Sequence, residues 1–119
     1  MKDTQSLKKN KDFRYVYNHG KSYANKYLVM YTMKNGTGKN RLGISVSKKV
    51  GNSVVRHRVT RLIRESYRLN EEKFATGLDM IVVARVNSKD IGFNEIESGL
   101  IHLARIHKIM ERWDMNEDS

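Results

Sequence analysis

The 119-residue chain contains no cysteine and no proline. The missing cysteine excludes disulfides, thiol catalysis and cysteine-ligated zinc sites. The N-terminus also lacks the apolar segment of a signal peptide, and the longest apolar run, residues 80–84, is far shorter than the ~20 residues that span a bilayer. We therefore expect a single cytoplasmic domain over residues 1–119, with no membrane partner.

Acidic residues are scarce in the first two thirds of the chain. The formal net charge is +10. Residues 1–40 carry a net charge of +7, residues 41–68 another +7, and residues 69–119 a net charge of −4. Because the charge is segregated, we expect a polyanion such as nucleic acid as a partner. A merely basic surface without such a partner explains the segregation less well.

Residues 48–68 hold the densest positive charge, with seven Lys or Arg among 21 residues and Glu65 as the one acid. Gly51 ends the preceding loop, and Asn52 or Ser53 can cap a helix that follows. On such a helix one arc is apolar and the opposite arc is basic. The apolar arc consists of Val55, Val59, Leu62 and Ile63, and the basic arc of Arg58, Arg61, Arg64 and Arg68, with Arg56 at its border. Arginines one turn apart repel each other unless a polyanion is bound, so this row predicts phosphate binding.

The remaining pattern predicts an α/β (α+β) fold, a two-layer sandwich with the order α-β-β-β-α-β-α and a four-stranded mixed sheet. A Gly/Asn-rich turn at residues 34–40 separates two strand-like runs, which we interpret as a hairpin. In the second run Gly43, Ser45 and Ser47 form a small outer face. A βαβ unit with a parallel strand pair follows. The predicted helices cover residues 10–19, 52–68 and 94–112, and the predicted strands residues 21–24, 27–33, 41–47 and 80–86.

No set of residues indicates protein-based catalysis. His19, His57, His102 and His107 show no metal-binding spacing, and no paired carboxylates or Ser/His/Asp grouping occurs. We therefore expect no catalytic residue, no metal site and no cofactor held by the protein. Aromatic residues in the lysine-rich first third either stack on unpaired bases or fill the core, and both interpretations stay open. They are Phe13, Tyr17, Tyr27 and Tyr31.

Residues 48–65, Lys-Lys-Val-Gly-Asn-Ser-Val-Val-Arg-His-Arg-Val-Thr-Arg-Leu-Ile-Arg-Glu, resemble the motif of the bacterial ribonuclease P protein family. Residues 7–13 and 19–25 agree with the family as well, so the resemblance covers nearly the whole chain. One position departs from the pattern, since His57 stands where the family has Asn. Histidine can also donate and accept a hydrogen bond, but with a different geometry.

The resemblance implies a fold similar to a ribosomal-protein domain, with a left-handed βαβ crossover. It also implies a monomeric protein in a 1:1 complex with a catalytic RNA, which uses Mg²⁺ bound through the RNA to remove the 5′ leader of precursor tRNA. The residues that would bind the catalytic RNA are Lys48, Lys49, Asn52, Arg56, His57, Arg58, Arg61, Arg64 and Arg68. Those that would bind the leader, in a cleft between the first helix and the sheet, are Phe13, Tyr17, Tyr31, Ser47, Lys49 and Arg56.

Three other functions compete with this interpretation. A general RNA-binding or ribosome-associated protein would carry the same charge but show no preference for substrates with a leader. A DNA-binding protein would place the arginine helix in a major groove, although this helix lacks the Asn and Gln residues that read bases. A nuclease acting alone would cleave RNA without an RNA partner.

Overall fold

The computed structural model describes residues 2–110 and confirms a mixed α/β fold. It contains three helices and a sheet of five strands, one more than predicted. The additional strand has only two polar residues, which carry no apolar pattern by which the sequence could predict it. The strands are β1 (Gln5–Ser6), β2 (Lys21–Ala24), β3 (Leu28–Lys34), β4 (Arg41–Ser45) and β5 (Leu78–Ala84), and the helices are α1 (Asn10–His19), α2 (Ser53–Asn70) and α3 (Phe93–Ile106).

The strand order is β1-β4-β5-β3-β2, so the predicted hairpin between β3 and β4 is wrong. Strand β5 lies between them, antiparallel to β3 and parallel to β4. It is the most apolar strand, and the centre of the sheet is the place where such a strand is covered best. The predicted parallel βαβ unit is confirmed as β4-α2-β5; its left-handed sense stays a prediction.

The loop between β3 and β4 makes its hydrogen bonds to the start of β5. The Asn40 side chain donates to the Ala75 carbonyl at 2.8 Å and accepts from the Leu78 amide at 2.9 Å. The Asn35 amide nitrogen of the backbone donates to the Gly77 carbonyl at 3.0 Å. The asparagines that suggested a tight turn therefore stabilise a wider connection that passes over the end of β5.

The two faces of the sheet are covered unequally. Helices α2 and α3 pack on one face and enclose the main core, which includes Leu28, Met30 and Met80. Helix α1 lies on the opposite face over a smaller cluster centred on Leu7, Val16 and Ile81. Since α1 has only ten residues, it covers part of that face and leaves the rest accessible.

Helix α2 begins as predicted, because the side chain of Asn52 accepts a hydrogen bond from the Val55 amide at 3.0 Å. Val59 and Ile63 are fully buried, whereas Val55 and Leu62 are only half-buried. Further along, the buried face continues through polar residues and one aromatic ring that the apolar pattern did not include. These residues are Ser66, Tyr67 and Asn70.

Helix α3 ends at Ile106, earlier than the prediction of residue 112, which itself lies outside the described residues. Lys108 follows with a positive φ of 60°. The amide of Lys108 donates to the Arg105 carbonyl, and that of Ile109 donates to the Ala104 carbonyl. This pair of bonds is the Schellman termination, in which the left-handed position is usually glycine. It turns the chain so that Ile109 and Met110 become buried.

Candidate RNA interface

The N-terminal half of α1 is held against the sheet by a ring contact and an ionic network. A β-carbon placed at Gly43 would come within 2.6 Å of Phe13 Cζ, so the Phe13 ring lies directly on the backbone of β4. The preceding residue, Asp12, lies 3.6 Å from Arg41, and Arg41 Nε also donates to Asp79 at 2.8 Å. These contacts fix which face of α1 meets the sheet.

Asp79 is a buried carboxylate in strand β5. Burial alone would raise its pKa, but hydrogen bonds from Arg41 and Asn35 more than offset this, so the pKa of Asp79 lies below its ordinary value. The same hydrogen bond to Asp79 raises the pKa of Arg41. Asp79 therefore acts as a structural anchor for β4.

Three of the residues predicted to bind the leader form one aromatic cluster. The Phe13 and Tyr17 ring centroids are 6.1 Å apart, and those of Tyr17 and Tyr31 are 4.8 Å apart in an edge-on arrangement. All three rings remain half-buried. Among residues 2–110 the hydroxyl groups of Tyr17 and Tyr31 have no hydrogen-bond partner, so ring surface and hydroxyl groups are both available to a ligand.

An open strip of sheet lies beside this cluster. Ile81, beneath α1, is fully buried, whereas Val83, two residues further along β5 on the same face, is only half-buried. Val83 pairs with Ser45 on one side and Val29 on the other. We name the space above Ser45, Val83 and Val29, walled by the Phe13, Tyr17 and Tyr31 rings, the aromatic cleft.

The predicted small outer face of β4 is only partly available. Phe13 covers Gly43, so an RNA strand cannot lie along the whole of the strand. The glycine is needed for helix packing, since any larger side chain would displace the ring. Ser45, at the end of β4, is half-buried, and Ser47 is exposed beyond the strand, which ends two residues earlier than predicted. The accessible part is therefore the C-terminal end of β4 and the residues that follow it.

The polar residues predicted beside the cleft lie where β4 leads into α2. Ser47 and Lys49 are exposed in this loop, and the Ser47 carbonyl accepts from the Val50 amide at 3.0 Å. Arg56 is half-buried and donates from Nη1 to the Gly51 carbonyl at 3.1 Å. These groups continue from the Ser45 end of the cleft toward the arginine helix.

The arginines of α2 are not equivalent. Arg61 and Arg64 are exposed and have no ion-pair partner within residues 2–110. Arg58, predicted to point outward, is half-buried and donates to the Ile91 carbonyl at 2.8 Å. Arg58 differs from Arg61 and Arg64 because its side chain reaches the loop before α3. Arg68 is paired with Glu65.

Three further residues were predicted to bind the catalytic RNA, and one of them has a structural role. The Asn52 side-chain oxygen is occupied by the helix cap. His57 is exposed at the start of α2, with no hydrogen-bond partner in the described part of the chain. Lys48 is exposed as well.

His107 is a structural histidine. Its Nε2 donates to the Met30 carbonyl at 2.8 Å, which leaves Nδ1 to accept from the Thr32 hydroxyl at 3.0 Å. Burial and the positive charge of Lys21 lower the pKa of His107, although the bond to Met30 opposes this. Residues 2–110 contain no group of three His, Asp or Glu side chains placed to hold a metal ion. They also contain no helix long and apolar enough to cross a membrane.

Comparison with known proteins shows the family. The family model described as Ribonuclease P matches residues 1–108. The ribonuclease P protein component of Lachnoclostridium phytofermentans is 62% identical over 107 residues, which cover 90% of this chain and 92% of that protein. The corresponding protein of Alkaliphilus metalliredigens is 54% identical over 110 residues, or 92% and 99% of the two chains.

Solved structures agree with the sequence comparison. The Staphylococcus aureus RNase P protein superposes with a TM-score of 0.82 at 40% identity, covering 89% of this chain and 97% of that one. The Thermotoga maritima RNase P protein gives a TM-score of 0.78 at 31% identity, covering 84% and 94%. A basic α/β protein with an aromatic cleft beside an arginine helix is thus the class that the fold defines. The chain belongs to the ribonuclease P protein family, and the resemblance found in the sequence is confirmed.

Proposed function

We propose that this protein is the subunit of ribonuclease P that binds the catalytic RNA through α2 and the 5′ leader of precursor tRNA through the aromatic cleft. The observation that carries the proposal is the uncovered half of the second sheet face. A central strand of an α/β sheet is normally covered on both sides, yet Val83 is left half-exposed beside three aromatic rings. Membership of the ribonuclease P family supports our choice of the catalytic RNA and precursor tRNA as the two ligands.

The cleft suits an unpaired strand. Aromatic faces stack on bases of any sequence and contribute ~1–3 kcal/mol per base. Phe13, Tyr17 and Tyr31 supply such faces, and Ser45 and Ser47 add hydroxyl groups at the open end. A double helix is too wide for a strip of two or three strands, which are about 4.8 Å apart. A single-stranded leader fits these dimensions.

The outer surface of α2 suits a structured RNA. Arg61 and Arg64 present guanidinium groups about one turn apart, and a guanidinium binds phosphate oxygens through two parallel hydrogen bonds. No carboxylate neutralises either of these two arginines within residues 2–110. Their mutual repulsion is relieved when phosphates bind, which is why we assign this surface to the catalytic RNA.

Cleavage itself is assigned to the RNA and to Mg²⁺ bound through it, and the protein contributes substrate affinity. The protein side chains around the cleft are aromatic, aliphatic and hydroxyl-bearing, and none of Phe13, Tyr17 or Tyr31 is suited to activate water at neutral pH. We propose one protein per catalytic RNA, acting in the cytoplasm.

Reconstitution with the cognate catalytic RNA tests the proposal. At low Mg²⁺ concentration, adding the protein should stimulate removal of the leader, and Phe13→Ala should weaken binding of precursor tRNA more than binding of mature tRNA. Absence of stimulation with both partners folded would overturn the proposal. Equal weakening for both tRNAs would instead favour a general RNA-binding protein.

A further inference from the structure

A second basic groove lies at the end of the sheet where β3 finishes and β5 begins. Its volume is about 520 Å³, and no acidic residue among residues 2–110 lines it. Three lysines from separate parts of the chain line it together with His107, and none of the three has an ion-pair partner among residues 2–110. We name this site the lysine groove after Lys21, Lys34 and Lys108.

Lys108 lies in this groove at an energetic cost to the backbone. Its φ of 60° belongs to the left-handed region, and at this position of a Schellman termination glycine is the usual residue. A non-glycine residue held in a strained conformation is a reason to look for a function of its side chain. Here the side chain adds a third positive charge to a surface that already carries Lys21 and Lys34.

An exposed aromatic ring stands next to the lysines. Tyr23 on β2 is 39% exposed, and its ring packs edge-on against His107 with centroids 4.8 Å apart. Flexible positive charges beside an accessible ring are typical of surfaces that bind single-stranded RNA without reading its sequence. Lysine, unlike arginine, imposes no planar geometry on the phosphate.

The position of the groove points to substrate RNA as its occupant. On the sheet face that carries both helices, α3 packs on β3 and β2 whereas α2 packs on β4. The groove includes the end of α3, and the small pocket beside Arg64 is lined by residues of β4 and by Lys8 after β1. An RNA held by Arg61 and Arg64 would therefore lie at the other side of the molecule.

The groove and the aromatic cleft share strand β3 but lie on opposite faces of the sheet, because side chains alternate along a strand and Val29 and Lys34 are an odd number of residues apart. Lys34 is five residues beyond Val29 on β3, a distance of roughly 17 Å along an extended strand. A leader that leaves the aromatic cleft can reach the lysines around the end of β3, whereas the base-paired body of the tRNA cannot follow such a path.

We propose that the lysine groove binds the phosphates of the single-stranded precursor leader, upstream of the nucleotides that occupy the aromatic cleft. This rests on the proposed function, since it presumes that the cleft holds the leader. The groove then extends the substrate site by a sequence-independent contact, and affinity increases with leader length until both sites are filled.

The test uses the reconstituted holoenzyme and precursors with leaders of about 4 and about 16 nucleotides, which span the usual range of single-strand sites. Lys108→Gly removes the charge and relieves the backbone strain, so its Tm should be equal to or above that of the unchanged protein. Its affinity should fall several-fold more for the long leader than for the short one. Each lost lysine should also reduce the salt dependence of long-leader binding by a slope of about 0.7.

Lys34→Ala provides an independent variant, because Lys34 is exposed at a strand end. Lys89→Ala is the matched control, since it removes one exposed lysine that does not line the groove; it should affect both leaders equally. The proposal is overturned if the groove variants bind the precursors with both leaders as before, or if their affinity falls equally for both. It is also overturned if they lose affinity for the catalytic RNA alone, which would assign the groove to that partner. Failure of the cleft proposal is recognised separately, by Phe13→Ala weakening precursor and mature tRNA alike.

Discussion

The ring of Phe13 rests on the backbone of Gly43, with Cζ 2.6 Å from the position that a β-carbon of residue 43 would occupy. A glycine in the sheet thus determines where an aromatic side chain of α1 lies. Because Phe13 is also a wall of the aromatic cleft, the proposed function implies that leader binding depends on the absence of a side chain at Gly43, a residue that is itself covered.

Gly43→Ala should therefore weaken leader binding without removing any group that contacts RNA. The added methyl group displaces the Phe13 ring, and such overpacking costs about 1–3 kcal/mol of stability. Gly38→Ala is the control, because a β-carbon there meets no atom within 4 Å. Affinities for precursor and mature tRNA, together with denaturant unfolding, provide the measurement. An unchanged preference for the precursor in Gly43→Ala would show that the ring position is unimportant.

Removing one cleft ring should cost about as much as one stacked base. Tyr17→Ala is expected to lower affinity for precursor tRNA by about 1–3 kcal/mol relative to mature tRNA. Tyr17→Phe retains the ring and separates stacking from any hydroxyl contact. Equilibrium binding to the holoenzyme measures both. If Phe and Ala at position 17 were equally harmful, the hydroxyl group and not the ring would carry the interaction.

The exposed arginines of α2 should contribute to the salt dependence of catalytic-RNA binding. Arg61→Ala and Arg64→Ala should each reduce the salt slope of catalytic-RNA binding by about 0.7–0.9. Glu65→Gln releases Arg68 from its ion pair and should strengthen binding, while stability changes little because an exposed pair contributes only ~0–1 kcal/mol. Weaker binding by Glu65→Gln would contradict the assignment of Arg68 to this surface.

Arg41 should matter for stability through Asp79. Arg41→Met leaves a buried carboxylate without its main partner, and the expected loss is about 2–3 kcal/mol at neutral pH, at the low end for a buried pair because Arg41 is partly exposed. Since the folded pKa of Asp79 is lowered, this stabilisation is present above the unfolded value of about 3.9 and is lost as the pH falls through the folded value. A double-mutant cycle with Asp79→Asn, measured by unfolding at neutral and acidic pH, isolates the pair. Additive effects would exclude the interaction.

His107 should make the free energy of unfolding depend on pH in a second pH range, separate from that of Asp79. Its folded pKa is lowered, so its contribution is complete above the unfolded value of about 6.5 and decreases as the pH falls from there toward the folded value. Among the groups that face it, Lys21 adds positive charge, and Thr32 and Met30 provide the hydrogen bonds. His107→Gln should remove this window in unfolding curves recorded from about pH 8 to about pH 5. Persistence of the window would assign it to another group.

Local signals predicted the helices well. The predicted range of residues 10–19 is that of α1, and Asn52 marked the start of α2. The pairing of β3 with β5 was not predicted, because the residues between β3 and β4 have the composition of a tight turn whether or not another strand lies between them. The side chains in this loop instead form hydrogen bonds at the start of β5. This arrangement depends on where the most apolar strand can be buried.

The site residues were predicted as a set, but not their arrangement. The resemblance assigned Phe13, Tyr17 and Tyr31 to one cleft, and the structure brings these rings together. Nothing in the local sequence indicates that Gly43 lies under Phe13, or that Arg58 reaches Ile91. Such contacts join residues 30 or more positions apart and follow only from the tertiary packing.

Photo-crosslinking can show which RNA occupies the aromatic cleft, because the protein has no cysteine and a single introduced thiol is therefore unique. A photoreactive group on Ser45→Cys, at the open end of the aromatic cleft, should crosslink within the holoenzyme to leader nucleotides of precursor tRNA. The same group on Ser98→Cys, exposed on α3, is the control. Crosslinks from position 45 that map to the catalytic RNA, or to the body of the tRNA with none in the leader, would contradict the account.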